Sequence, residues 1–252
     1  MMTWIDAHCH PDALSDPDGA FSEAQAAGIG QWILPGTEPQ QWRAAGQRFS
    51  SDSRIRLAFG HHPWFLPNSE PDLSALQAML SDYPPCIALG EIGLDFHQGK
   101  TPKAAPELQE RWFEAQLAMA AEHRLPVIVH AVKAHDRVLA LLKHYPDVRG
   151  VVHAFLGPYQ QARAYLDKGW YLGCGSLILK SAKTREAFAQ MPVDRILLET
   201  DAPDMRPMQP QHTNPLLDLL QTADCLAQAR SISLAILMAH TSANVRQLFQ
   251  KF

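Results

Sequence analysis

The feature that most constrains this chain is a regular alternation of short apolar runs with longer helical patterns. Eight aliphatic or β-branched runs, each bounded by turn residues, predict strands at residues 4–7, 32–34, 55–59, 87–90, 127–129, 150–152, 170–173 and 196–198. A stretch that can hold a helix separates each predicted strand from the next. This alternation of strands and helices favours a parallel sheet with right-handed crossovers. We therefore predict an α/β fold, a TIM (β/α)8 barrel, rather than an open doubly wound sheet.

The length of the chain agrees with one such barrel. A (β/α)8 barrel typically needs about 250 residues, and no linker or low-complexity tract interrupts the 252 residues. A single domain over residues 1–252 is therefore expected. A final helical pattern at residues 234–252 exceeds the eight repeats, and we expect it to form an extra C-terminal helix that packs on the outside.

Charge, cysteine content and hydropathy exclude several classes of protein. The formal net charge of −4 excludes a nucleic-acid binder that depends on a broad basic surface. The four cysteines form no CxxC pair, so they indicate neither a disulfide framework nor a zinc knuckle and fit a reducing compartment. The amino terminus shows no signal segment, and the longest apolar runs are far shorter than the ~20 residues of a membrane span. We expect a cytoplasmic protein without membrane contact.

Histidines and carboxylates follow the predicted strands at equivalent positions. His8 and His10 come directly after the first strand, and residues i and i+2 of an extended segment point to the same face. Cys9 between them should point the other way, and we expect it to be a packing residue. Four further candidates end strands four, five, six and eight: Glu91, His130, His153 and Asp201. Since barrel active sites are built at the carboxyl ends of the strands, all six are candidate metal ligands.

The size of this set points to more than one cation. Four imidazoles and two carboxylates exceed the three or four protein ligands of one catalytic zinc. They suit two divalent cations about 3.5–4 Å apart that share one carboxylate, as in two-metal hydrolases. Ligation rich in histidine favours zinc, manganese or cobalt over magnesium. A buried structural histidine is the alternative interpretation for His130 or His153 taken singly.

The motifs of the chain resemble those of the TatD family of metal-dependent hydrolases and, within it, the YjjV-like branch. The resemblance covers essentially the whole chain and rests on IDAHCHPD, GHHPW, GEIGLDF, PVIVHA, GVVHAF, LLETDAPD and TSANVRQLF. It implies a TIM-barrel hydrolase with an amidohydrolase-like metal site, two cations and a nuclease activity, often described as 3′-5′ exonuclease on DNA. The family is commonly assayed with magnesium, which therefore stays a candidate metal.

The resemblance also implies roles for single residues. His8, His10, Glu91 and Asp201 would hold the first cation, and Glu91, His130 and His153 would hold the second. Related amidohydrolases bridge their cations with a modified lysine at strand four, so Glu91 in this place favours the TatD type over cyclic-amide hydrolases. Asp201 and Glu91 are the candidate catalytic residues. The cations would activate a water and polarise a phosphoryl oxygen, while Asp201 orients that water and takes its proton.

The segment after strand three carries candidate substrate-binding residues. His62 is similar to a family position that contacts a substrate phosphate, with an ordinary surface histidine as the alternative. We expect the neighbouring His61 to be structural or to face solvent. Trp64 has a ring on which a base can stack, although packing in the core or at the rim is the other role that we consider.

Two departures from the family pattern bear on the substrate. The family reads His-Ser-Arg where this chain continues from His130 to Val132, and it has a serine where this chain has Leu156. Both changes keep the ligands and remove polar groups beside them. Basic residues that can replace the lost arginine follow strands seven and four: Lys180, Lys183 and Arg185, and Lys100 and Lys103. Lys183 is the candidate we favour, while surface charge is the expected role of Lys100 and Lys103.

Three functions stay open from the sequence. The leading one is a two-metal phosphodiesterase or deoxyribonuclease that acts on DNA, with single-stranded ends as the expected substrate. The second is a hydrolase of another ester or amide, such as an aminoacyl-tRNA deacylase, since a fold does not determine the substrate. The third is a non-catalytic metal or nucleic-acid binding module, against which the complete ligand set argues. The sequence indicates no obligate protein partner.

Overall fold

A computed structural model describes residues 2–83, 86–99 and 103–250 of the chain. Eight strands follow one another in the sheet in sequential order, and every pair with a described register is parallel. They are β1 (Trp4–Asp6), β2 (Ile29–Pro35), β3 (Ile55–Phe59), β4 (Ala88–Asp95), β5 (Val127–Val132), β6 (Gly150–Val152), β7 (Tyr171–Cys174) and β8 (Ile196–Leu198). The predicted α/β fold of the (β/α)8 class is confirmed.

Helices occupy the stretches between the strands. They are α1 (Pro17–Ala26), α2 (Pro39–Phe49), α3 (Ser74–Asp82), α4 (Pro106–His123), α5 (His135–Leu141), α6 (Tyr159–Leu166), α7 (Leu177–Lys180), α8 (Ala182–Gln190), α9 (Asp218–Arg230) and α10 (Leu234–Leu248). Helix α4 begins with Pro106, whose missing N–H costs nothing in the first turn. None of the helices in the described part of the chain is both long and apolar enough to cross a membrane.

The chain forms two compact units. The first consists of residues 2–34 and 153–248 and contains β1, most of β2, β7 and β8. The second consists of residues 35–152 with a short C-terminal piece, and it contains β3 to β6. A single domain over residues 1–252 stays a prediction.

Helix α10 packs within the first unit as the additional C-terminal helix that the sequence predicts. The side-chain amide of Asn244 donates to the carbonyl oxygens of Val193 and Ile196, both at 2.8 Å. The hydroxyl of Ser242 donates to the carbonyl oxygen of Thr3 at 3.0 Å. Helix α10 therefore fixes the amino-terminal ends of β1 and β8 by hydrogen bonds as well as by apolar contact.

Strands β4 and β5 are longer than predicted, which corrects the position of two candidate ligands. Strand β4 runs to Asp95 with all eight of its residues buried, so Glu91 lies inside the strand and not at its end. His130 likewise lies inside β5, and it pairs with Gly93 in the register of the two strands. The apolar run in the sequence stops at Glu91, but backbone pairing continues because buried polar side chains there find partners.

Candidate metal centre

The segment after β1 holds two histidines on one side of an extended chain. The backbone N–H of Cys9 donates to Ile33 in β2, whereas that of His10 donates to Ala202 beyond β8. These successive residues therefore bond in opposite directions, as in a strand. The Nε2 atoms of His8 and His10 lie 3.2 Å apart. Cys9 is fully buried, and burial raises the pKa of its thiol well above the ordinary value, which agrees with a packing role.

Asp201 and His153 complete a group in the first unit that we call the His8 cluster: His8, His10, His153 and Asp201. The Oδ1 atom of Asp201 lies 3.3 Å from Nε2 of His8 and 3.4 Å from Nε2 of His10. The ring of His153 stacks on that of His8 with a centroid distance of 4.0 Å. Ligand atoms of His8, His153 and Asp201 all lie within 4.8 Å of one another.

The electrostatics of the His8 cluster keep Asp201 ionised. Burial alone would raise the pKa of this carboxyl, but the hydrogen bond with His10 and the nearby His8 and His153 lower the pKa below its ordinary value. Asp201 is thus a carboxylate that can bind a cation or accept a proton. Its backbone has φ of +60°, in the left-handed region that aspartate tolerates better than most residues.

A buried carboxylate next to the ligands holds the two chain segments of this cluster together. Asp6, the last residue of β1, accepts hydrogen bonds from the backbone N–H of His8 at 3.2 Å and of Thr200 at 3.0 Å. It also accepts one from the hydroxyl of Thr200 at 2.6 Å, and that hydroxyl in turn accepts from the N–H of Ala202. Asp6 therefore positions the residues on either side of Asp201 relative to His8.

Glu199 supports the third segment of the His8 cluster. Its side chain accepts a hydrogen bond from the N–H of Ala154, directly after His153, at 2.5 Å. Glu199 is fully buried, and burial raises its pKa to about 8. Gly173 in β7 makes room for it, because a Cβ at this position would collide with the carboxyl group of Glu199.

A second group, in the other unit, contains His62, Glu91 and His130, and we call it the Glu91 cluster. The Oε1 atom of Glu91 lies 2.9 Å from Nδ1 of His130 and 3.3 Å from Nε2 of His62. All three residues are at most 9% exposed. His62 belongs to the segment after β3. Its backbone N–H donates to the carbonyl oxygen of Thr37, which follows β2, and this bond joins the two segments.

Asp95 determines which nitrogen of His130 faces Glu91. Burial alone would raise the pKa of the Asp95 carboxyl, but hydrogen bonds from His130, Lys103 and Trp64 hold this pKa well below the usual range. Asp95 is therefore ionised and only accepts hydrogen bonds. A hydrogen on Nε2 of His130 can then be donated to Oδ2 of Asp95, 3.2 Å away. The lone pair that can bind a metal is then on Nδ1, next to Glu91. Carboxylates that orient metal-binding histidines in this way are common in metal sites.

The predicted site residues divide between the two clusters. The six predicted ligands lie in them, but His153 lies with His8 and Asp201, whereas the sequence groups it with Glu91 and His130. His62 lies 3.3 Å from Glu91, and its contact with substrate stays a prediction. Lys183 is exposed near the start of α8. His61 is buried between Trp42 and Trp112, in the structural role that was one of two expectations.

The other lysines considered as phosphate contacts differ in their exposure. Lys180 is exposed and donates to the carbonyl oxygen of Arg206. Lys103 is not the surface charge that we expected, because its side chain is only 9% exposed and pairs with Asp95 at 2.8 Å. The buried carboxylate of Asp95 attracts it out of solvent. Lys100 lies outside the described residues.

Sequence reasoning missed the supporting acidic residues Asp6, Asp95 and Glu199. Each stands within the quoted motifs, one or two residues from a predicted ligand or at the end of a motif strand. An acidic residue at the end of an apolar strand or directly after it is the signal that could have found them, since an acidic side chain is rarely buried without partners.

Both clusters fit a divalent cation. Tetrahedral metal bonds of about 2.0–2.2 Å place ligand atoms roughly 3.3–3.6 Å apart. The separations from Asp201 to His8 and His10 are 3.3 and 3.4 Å, within this range, and that from Glu91 to His130, 2.9 Å, is shorter. Imidazole nitrogens and carboxylate oxygens are donors that zinc, manganese and cobalt accept.

A (β/α)8 fold with two buried clusters of histidine and carboxylate at its strands defines a metal-dependent hydrolase. The family model described as TatD related DNase matches residues 5–250. The chain therefore belongs to the TatD family.

Individual relatives agree with this assignment. The chain is 35% identical over 246 residues to the metal-dependent hydrolase YjjV of Escherichia coli K12, covering 90% of this chain and 94% of that protein. It is 34% identical to the 3′-5′ ssDNA/RNA exonuclease TatD of Klebsiella pneumoniae, covering 93% of this chain and 92% of the relative. The crystal structure of the TatD homologue YjjV from Escherichia coli superposes with a TM-score of 0.89 at 31% identity, over 99% of both chains.

Proposed function

We propose that this protein is a phosphodiesterase that removes nucleotides from single-stranded nucleic acid, with single-stranded DNA ends as its main substrate. The observation that carries the proposal is the pair of buried histidine and carboxylate clusters. A relative at 34% identity named as a 3′-5′ ssDNA/RNA exonuclease supports this substrate class.

Two divalent cations complete the proposed site, with zinc or manganese favoured by the donors and magnesium also accepted. His8, His10, His153 and Asp201 would hold one, and Glu91 and His130 would hold the other. His62, whose Nδ1 accepts from the backbone N–H of Trp64, would keep a hydrogen on Nε2 and donate to Glu91 or to a substrate oxygen. Sharing of Glu91 between the cations stays a prediction from the sequence. When bound, the cations would lower the pKa of a water molecule and offset the negative charge on a phosphoryl oxygen.

The side chains of the protein supply proton transfer and orientation. Asp201 is ionised, and its Oδ1 atom lies between two imidazoles, so it can orient the attacking water and take its proton. Asp6 and Glu199 keep the surrounding segments in place, which limits the rearrangement that the reaction requires. Lys183, exposed near the start of α8, is the proposed contact to a substrate phosphate.

A hydrolase of another ester or amide, such as an aminoacyl-tRNA deacylase, is the second candidate. The observation that favours it is the apolar character of two positions next to ligands. Val132 is partly exposed two residues after His130, and Leu156 is 50% exposed three residues after His153. Neither can bind a phosphate through a charged hydrogen bond.

A direct test uses 5′-labelled single-stranded DNA and RNA, with an esterified tRNA in parallel. We expect a ladder of products shortened from the 3′ end, which a chelator abolishes and added zinc or manganese restores. Glu122→Gln on the exposed face of α4 is the control for Glu91→Gln, which should lose most of the activity. Turnover of the esterified tRNA without cleavage of either nucleic acid would favour the second candidate.

A further inference from the structure

An exposed aromatic side chain lies directly beside the Glu91 cluster. Trp64 follows His62 by two residues and keeps 46% of its surface exposed. Its ring centroid is 5.4 Å from that of His62 and 6.2 Å from that of His130. The ring therefore lies within the reach of a nucleotide held at the cluster.

Trp64 is held in place although it is exposed. Its indole N–H donates to Oδ2 of Asp95 at 2.6 Å, and its backbone N–H donates to Nδ1 of His62 at 3.1 Å. Asp95 itself is only 3% exposed. Its other oxygen accepts from the N–H of His97 at 2.8 Å, and Gln109 bonds both its backbone N–H and its carbonyl oxygen. The indole side chain is therefore already ordered, and it loses little conformational entropy when a ligand binds to it.

Lys103 covers part of the same ring. Its Nζ atom lies 5.3 Å from the ring centroid and 2.8 Å from Oδ1 of Asp95. A cation over one face of an indole stabilises the ring by a cation–π interaction. Trp64 nevertheless stays 46% exposed, so the arrangement presents a fixed aromatic side chain to solvent.

We propose that Trp64, positioned by Asp95 and Lys103, is the surface on which a nucleobase of the substrate stacks while the adjoining phosphate lies at the Glu91 cluster. This inference rests on the proposed function. Every base has a face that can stack, so such contact binds nucleotides without reading their sequence, as an enzyme that degrades strands from the end requires. The Oδ2 atom of Asp95 accepts from both Trp64 and His130, so one carboxylate places the stacking ring relative to a candidate ligand.

The test compares oligodeoxynucleotides that end in ordinary nucleotides with the same strands ending in abasic nucleotides. Binding is measured by fluorescence anisotropy on metal-stripped protein, and KM is measured with cations present. The parent should bind the base-bearing strand about tenfold more tightly than the abasic one, since stacking on an aromatic side chain contributes about that much. Trp64→Ala should lose this preference, whereas Trp64→Phe, which keeps a ring, should retain most of it.

Two controls separate loss of stacking from loss of metal and from loss of apolar surface in general. Ile236→Ala on α10 removes an exposed apolar side chain of similar exposure, 49%, and should keep the parental preference. The cation content of Trp64→Ala should equal that of the parent. Parental preference in Trp64→Ala, or no preference in a parent that degrades DNA, would overturn the stacking role alone. A parent that neither binds nor degrades any oligonucleotide would overturn the phosphodiesterase function and the stacking role together.

Discussion

The backbone N–H of Asp201 donates to the carbonyl oxygen of His8 at 2.8 Å, and the side chains of the same two residues meet at 3.3 Å. Two residues far apart in sequence are thus joined through backbone and side chain at once. Because the backbone bond fixes the separation of the Cα atoms, the distance between the ligand atoms does not depend on side-chain rotamers alone. Such a site is organised before a cation binds, which favours affinity.

The first prediction concerns the proton acceptor. Asp201→Asn should lower kcat by about 10²- to 10⁴-fold, because the amide can neither take a proton nor compensate a cation's charge. The rate is compared at matched cation content, so that loss of metal does not imitate loss of the base. Asp204→Asn, an exposed carboxylate in the same loop, is the control and should keep the parental rate. A fully loaded Asp201→Asn with parental kcat would exclude Asp201 as the base.

The second prediction concerns cation content. Elemental analysis of the protein under saturating metal should find two divalent cations per chain, since each of the two clusters contains histidine and carboxylate ligand atoms. Glu91→Gln should weaken the binding of both if, as the sequence predicts, this carboxylate is shared. Glu122→Gln, on the exposed face of α4, should bind as the parent does. A limit of one cation per chain would contradict the two-cation site.

The alternation of apolar runs was enough to predict the fold and to locate most of the candidate ligands. Strands 55–59, 150–152 and 196–198 have the predicted bounds, because turn residues stop these runs on both sides. His8 and His10 converge as predicted because side-chain direction in an extended chain follows from spacing alone.

The sequence does not predict contacts between residues that lie far apart in the chain. The end of β4 lies four residues beyond Glu91 because Asp95 finds Trp64, Lys103 and His130 as partners. These partners are far apart in the chain, so no local sequence pattern predicts the contacts between them. The association of His153 with His8 is of the same kind, since the two residues are far apart in the chain and no motif contains both.

The third prediction concerns stability and pH. His135, at the start of α5, is 9% exposed, and burial lowers its pKa to about 4, with Asp136 opposing and His130 adding to the shift. The unfolded chain, with an ordinary pKa near 6.5, binds a proton more tightly than the folded one. The contribution of His135 is therefore complete above pH 6.5 and is lost as the pH falls towards 4.

Urea unfolding of metal-stripped protein at pH 7 and pH 5 measures this effect. The free energy of unfolding should fall by on the order of 1–2 kcal/mol because of His135. His135→Gln should show a smaller difference between the two pH values than the parent. His240→Gln removes an exposed histidine and should keep the parental difference. Equal pH dependence in His135→Gln and the parent would contradict the prediction.

The fourth prediction concerns salt. The net charge of −4 argues that only a few basic side chains neutralise phosphates. On single strands each neutralised phosphate contributes about −0.7 to the slope of log K against log salt, so we expect a slope shallower than about −3. Anisotropy titrations between low and moderate salt measure this slope. A steep slope together with tight binding to internal duplex sites would contradict the prediction.

The last prediction starts from Val132. Strand β5 continues to this residue, so its side chain points to the same face as that of His130, two positions earlier. An arginine there would offer a planar, bidentate donor to a phosphate, which valine cannot. Lys133 is exposed and its backbone has φ of +53°, so the chain leaves the strand direction at that residue. Lys183 is therefore the better source of positive charge.

Val132→Arg should raise kcat/KM on a short single-stranded oligonucleotide, and Lys183→Ala should lower it, each by about ten- to a hundredfold. One charge-assisted hydrogen bond contributes about 1.5–3 kcal/mol, which sets this range. Val132→Leu and Lys168→Ala, the latter at an exposed position after α6, are the matched controls. If Val132→Arg leaves DNA cleavage unchanged or lowers it, and Lys183→Ala has no effect, the site is not shaped around a DNA phosphate. The esterified substrates of the second candidate function would then be preferred, because an apolar residue beside His130 suits them better than a phosphodiester.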